Sequence, residues 1–140
     1  MKVEHRVLAH APAEVIFAIY RDVENWHTWD PDTKQATLGG KFNVGARGRL
    51  VPIKGTAVPM ALTHVEQDRC FTVESKIPWF RMVFGHELNL GPAGTEIVHR
   101  VTLYGLLSVF LGPMLLKRLN ASLPVTLARL KELAEARGVA

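Results

Sequence analysis

Two runs of alternating apolar and polar residues, at 79–90 and 95–104, are separated by the turn Gly91-Pro92-Ala93-Gly94. A period of two marks a half-buried strand, so the two runs are expected to pair as an antiparallel hairpin. Phe80, Met82, Phe84, Leu88 and Leu90 fall on one face of the first arm, and Ile97, Val101 and Leu103 on one face of the second. Both faces are expected to look into one interior. Upstream, from 33 onward, short extended runs are broken by Gly39-Gly40, Gly45, Gly55 and Gln67-Asp68, which reads as a meander of antiparallel strands.

The ends of the chain follow other patterns. Residues 3–9 predict a first strand. Pro12 suits a first helical turn, and Val15, Ile16, Ala18 and Ile19 give a short amphipathic helix ending near Asp22. A second short helix is expected to carry Trp26 and Trp29. After Gly105 the period becomes helical: Leu115, Leu119, Leu123, Leu127, Leu130 and Leu133 or Ala134 form one stripe. Pro113, just after Gly112, suits a helix start, while the stripe stays in phase across Pro124, so that proline is expected to kink the helix without ending it. The predicted architecture is α+β: a curved antiparallel sheet of about seven strands wrapped around a long C-terminal helix, as one domain over 1–140. A kinked helix in a curved sheet leaves space for a cavity.

At 140 residues, with 48% apolar and 21% charged residues, the chain is long enough to bury about 68 to 70% of its unfolded surface. Lys2, Glu4 and Arg6 interrupt any secretory apolar run, so no export is expected. The stretch 106–116 is eleven residues, against the about 20 that span a bilayer. Cys70 is the single cysteine, which excludes an internal disulfide and fits the cytoplasm. The net charge of +4 invites a nucleic-acid reading, but the 17 basic residues are scattered and no aromatic-basic strand accompanies them, so no nucleic acid is expected.

The order strand, two short helices, about six antiparallel strands and long final helix resembles the START-like helix-grip superfamily, and within it the bacterial polyketide cyclase/dehydrase group. The residues that carry the resemblance are Ala11-Pro12-Ala13-Glu14-Val15-Ile16-Phe17, Asp22-Val23-Glu24-Asn25-Trp26 with Trp29-Asp30, Phe84-Gly85-His86, Gly94-Thr95-Glu96, and 112–133. The resemblance implies a helix-grip fold with a cavity and places the Trp29 segment beside its mouth. It implies no set of catalytic residues, because members of the superfamily use the same cavity for different ends.

Counting back through the hairpin pairs Leu90 with Thr95, Leu88 with Ile97, and then His86 with His99. Opposed residues have Cβ atoms about 4.5 to 5.5 Å apart, so two imidazoles are expected to meet on an otherwise apolar wall. They line the interior with satisfied hydrogen bonds, or recognise a ligand, or act as acid and base; buried side by side, they should titrate low. The candidate ligand-binding residues are Trp29, Met60, Leu62, Phe71, Phe84, His86, His99, Val101, Leu115 and Leu119. Trp26 suits core anchoring. Asp22, Glu24, Asp30 and Asp32 read as a solvated, helix-capping cluster.

The apolar stretch 106–111 is expected to form a buried first turn, although Lys117 and Arg118 behind it leave open a lipid-facing entrance. No metal site is expected: His86-Glu87 belongs to no H-E-x-x-H helix, and the six histidines show no metal-ligand spacing. No cofactor is implied, and oligomeric state is left open. Three functions follow: a carrier of a hydrophobic small molecule (lipid, polyketide or isoprenoid-like), a cyclase or dehydratase using His86 and His99, or a protein-interaction module using the apolar 106–116 surface.

Overall fold

The computed structural model describes residues 1–138. β1 (Lys2–Ala9) leads through Pro12 into α1 (Ala13–Arg21) and a 3-10 helix (Val23–Thr28). Then come β2 (Thr33–Gly39), β3 (Arg47–Pro52), β4 (Val58–Glu66), β5 (Cys70–Ile77), β6 (Phe80–Gly91), β7 (Gly94–Tyr104) and α2 (Ser108–Gly138). The strands form one antiparallel sheet in the order β1-β7-β6-β5-β4-β3-β2. Consecutive hairpins build β2 to β7, and the two helices after β1 carry the chain from one edge of the sheet to the other. The curved sheet and long C-terminal helix are the architecture the patterning predicts.

The hairpin register is the expected one, with Leu90 opposite Thr95, Leu88 opposite Ile97 and His86 opposite His99. The strands reach into the turn as far as Gly91 and Gly94. Leu90 departs from its expected place on the interior face and is largely exposed. β5 begins at Cys70, opposite Glu87, so the tip of β6 runs on with no third strand beside it.

α2 starts at Ser108, so Pro113 lies inside it and does not begin it, and the helix continues through Pro124. It packs on β1, β7 and α1. Leu123, Leu127, Leu130 and Ala134 are buried, whereas Leu115 and Leu119, from the same stripe, are only half buried. In α2's C-terminal half, a Glu135 carboxylate oxygen accepts the His10 backbone N–H at 2.8 Å.

Packing divides into two clusters. The larger is aromatic: Phe17 and Tyr20 from α1 meet Trp26, Trp29, Phe42 and Phe71, with Phe17 edge-on to Phe42 and Phe71. Edge-to-face pairs add about 0.5 to 1.5 kcal/mol beyond the area they bury. The smaller joins Val3, Phe80, Val101, Leu103 and Leu123. Between them the wall is incompletely filled.

The stretch 106–111 is not buried as a whole. Leu106, Val109 and Phe110 are exposed, because it is Leu107, in the turn before α2, and Leu111 and Gly112 of α2 that turn inward. Gly112 is closed over by the Met1 side chain, where a Cβ would collide.

Candidate ligand cavity

A cavity of about 510 Å³ lies between the sheet and α2. Its apolar walls include Val73, Met82, Phe84 and Val101 from the strands and Leu115 and Leu119 from the helix. Trp29, His86 and His99 also line it, as do Asp30, Thr33 and Thr126. Lys54 and Arg118, both exposed, belong to the lining and mark its opening.

The two histidines sit side by side on β6 and β7. Their ring centroids are 4.7 Å apart and nearly perpendicular. His86 lies flat on Phe71, with centroids 4.0 Å apart and planes 2° from parallel, and its Nδ1 is 3.2 Å from the Phe71 carbonyl oxygen. His99 Nε2 is 2.8 Å from the Tyr20 hydroxyl. Burial pushes His86 down to about 4, and burial together with the adjacent His86 holds His99 well below the ordinary imidazole range. Burial also pushes the Tyr20 phenol well above its usual range. All three groups are therefore neutral at physiological pH, and the protein itself supplies a partner to one nitrogen of each ring.

The tryptophans are placed by the 3-10 helix, where residues three apart eclipse. Trp26 donates its indole N–H to the Tyr20 carbonyl at 2.8 Å, the core role expected of it. Trp29, 6.1 Å from it, is also buried, but its Nε1 has no hydrogen-bond partner among the described residues.

Asp30 is not solvated as its neighbours in sequence are. Its carboxylate accepts the Asp32 backbone N–H at 3.0 Å and the Thr33 hydroxyl at 2.9 Å. Burial raises its pKa, opposed by these hydrogen bonds and by the Thr126 hydroxyl of α2. Asp22, by contrast, accepts from exposed Asn25 and caps no helix with its side chain.

Of the residues singled out by sequence, Trp29, Phe84, His86, His99, Val101, Leu115 and Leu119 reach the cavity. Met60, Leu62 and Phe71 do not line it; they are buried in the aromatic cluster beneath α1, which fills the space in front of them. Tyr20, Asp30 and Thr126 were missed. Tyr20 follows Ile16 by one helical turn, and Thr126 sits three residues after Leu123, so helical spacing alone would have placed both on buried faces.

Away from the cavity, His64, Glu66 and Cys70 place ligand-type atoms within 4.8 Å of one another on the outer face of β4 and β5. A register shift between Leu62 and His64 turns His64 outward, and the pairing sets Glu66 opposite Cys70, so linear spacing conceals the group. The thiol, pushed up to about 11 by burial and the Glu66 carboxylate, stays protonated.

Several solved structures share this fold. A protein from Mesorhizobium loti is 15% identical, with a TM-score of 0.78 over 97% of this chain and 98% of its own. One from Thermus thermophilus is 16% identical, with a TM-score of 0.77 over 98% and 99%. The di-domain ARO/CYC StfQ of the steffimycin biosynthetic pathway is 11% identical, with a TM-score of 0.80; the match covers 99% of this chain and 52% of StfQ. No curated protein matches the sequence. The model of one family, described as polyketide cyclase/dehydrase and lipid transport, matches residues 1–135, and the chain belongs to that family.

Proposed function

We propose that the protein binds or carries a hydrophobic small molecule, of lipid, polyketide or isoprenoid-like character, in the cavity between the sheet and α2. The carrying observation is the cavity itself: about 510 Å³, within the roughly 300 to 1,000 Å³ of small-molecule sites, with walls that are mainly apolar. Phe84, Val101, Leu115 and Leu119 supply the apolar contact, and Trp29, His86 and His99 the polar atoms that orient the ligand. The single thiol suits a cytoplasmic setting.

A second reading, cyclase or dehydratase chemistry by His86 and His99, is favoured by both rings lining the same cavity. The electrostatics weigh against it. A general base works best with a pKa near the operating pH, and His86, pushed down to about 4, is a weak base at neutrality.

Native mass spectrometry of gently purified protein, followed by denaturation, tests the carrier reading. A reproducible small-molecule adduct of apolar character is expected. Protein that is always empty, and that takes up no fluorescent fatty acid, would overturn it. His86→Gln or His99→Gln should leave uptake of an apolar probe within a few fold, whereas loss of turnover of an identified substrate would establish the enzymatic reading.

A further inference from the structure

At one end of the molecule, exposure and polarity are inverted. Leu106, Val109, Phe110, Pro113 and Met114 follow the i, i+3, i+4, i+7, i+8 spacing of one helical face, and all are exposed. An ordinary surface helix carries polar residues on such a face. Phe110, at 79% exposure, is the extreme case.

Trp79, 69% exposed, joins this face through the turn between β5 and β6. The Leu107 backbone N–H donates to the Trp79 carbonyl at 3.0 Å, fixing the turn against the start of α2. The turn itself is the two residues Pro78-Trp79, since Ile77 pairs with Phe80. Trp79 has φ 68°, a left-handed conformation that glycine adopts without penalty at the third position of a turn. A bulky aromatic held there, and in water, is stabilised neither by backbone preference nor by burial.

The charged residues that flank the patch along the chain are basic, while acidic Asp32 lies with Arg118 in the cavity lining. No Asp or Glu occurs between Glu96 and Glu132. Lys117 and Arg118 continue the exposed stripe one turn beyond Met114, and exposed Lys76 precedes the β5–β6 turn. Arg81, behind the turn, stacks its guanidinium 4.4 Å from the Tyr104 ring centre and pairs with Glu74. An apolar wedge behind which Lys and Arg continue is matched by acyl chains beneath anionic headgroups.

The wedge adjoins the cavity. Ile77 and Phe80 flank the Trp79 turn, Leu115 and Leu119 follow Met114, and all four line the cavity together with Arg118. We infer that this end of the molecule docks on an anionic bilayer, Trp79, Leu106, Val109, Phe110 and Met114 entering the interface and Lys76, Lys117 and Arg118 facing the headgroups. The docking stands on the surface alone. Its use, passage of a ligand between bilayer and cavity through an opening held at the membrane, rests on the carrier reading.

Co-sedimentation with phosphatidylcholine vesicles, with and without phosphatidylglycerol, tests the docking. Binding to the anionic vesicles, weakened by salt and absent from the neutral ones, is expected. Trp79 emission should shift to the blue on binding, since Trp26 and Trp29 are already buried. Phe110→Asp, and separately the pair Lys76→Glu and Lys117→Glu, should each weaken binding at least about tenfold while circular dichroism stays unchanged. Trp79→Gly relaxes the backbone, so it should fold at least as well yet bind more weakly. Absence of binding to anionic vesicles, or binding equal in Phe110→Asp, would overturn the inference. So would a stable dimer or protein complex that Phe110→Asp dissolves while vesicles are ignored. An adduct found by native mass spectrometry without vesicle binding would sink the docking and leave the carrier reading standing; vesicle binding by an always-empty protein would do the reverse.

Discussion

Tyr20 and His99 are 79 residues apart in sequence and 2.8 Å apart in space, where α1 lays its phenol against the histidine pair of the β6–β7 hairpin. This contact ties the helix to the polar end of the cavity. Tyr20→Phe removes the hydroxyl and leaves a buried imidazole nitrogen without its partner, a loss of about 1 to 3 kcal/mol. Urea unfolding should show it as a lower midpoint with an unchanged slope.

The histidine pair makes stability depend on acidity. His86 is held at about 4 in the folded protein, and an unfolded imidazole titrates near its ordinary value of 6.5. Between those values the unfolded chain binds the extra proton, so stability is full above pH 6.5 and falls as the pH drops toward 4. His99 is shifted in the same direction and adds to the effect. The expected loss from His86 is on the order of 3 kcal/mol across that window. Urea midpoints measured through it should fall less steeply for His86→Gln; identical profiles would show that His86 does not contribute.

Leu130 and Leu119 belong to one stripe but have different surroundings. Leu130 is fully buried, and Leu130→Ala should cost about 2 to 5 kcal/mol. Leu119 borders the cavity and already lacks neighbours on one side, so Leu119→Ala should cost less than half as much in the same denaturation assay. Leu119→Trp should occupy the cavity and reduce uptake of a fluorescent apolar probe while the thermal midpoint changes little.

Gly105, with φ 100°, closes the passage from β7 to α2, and a Cβ there would press into the Trp79 carbonyl. Gly105→Ala should therefore destabilise by more than about 1 kcal/mol and loosen the Trp79 turn. Amide exchange of Leu107, which donates to that carbonyl, should quicken.

Short-range periodicity carried much of this structure. The β6–β7 register, and with it the meeting of His86 and His99, follows from alternation counted back from one turn, because every step of two returns to the same face. What alternation does not encode is what lies above the face. Phe71 and Leu62 are inward residues as expected, but α1 covers them, so they pack against Phe17 and Tyr20 and never meet the cavity. Asp30 read as solvated because its neighbours are acidic; Thr33 and Thr126, distant in sequence or on another element, enclose it. The apolar stretch 106–111 read as a buried first turn because burial is the usual fate of such residues, and here Leu106, Val109 and Phe110 lie exposed. The His64, Glu66 and Cys70 group was hidden because a register shift between Leu62 and His64 breaks the strict alternation of β4.

α2 joins two stretches with different duties. From Leu123 onward it is clamped by buried Leu127, Leu130 and Ala134 and by the Glu135 contact to His10. Before Leu123 its Leu115 and Leu119 border the cavity, and its outer side faces water. Substitutions at 115, 118 and 119 can thus resize and recharge the chamber at little cost to the clamp. The same scaffold is open to divergence in what it holds, by drift in two turns of a single helix.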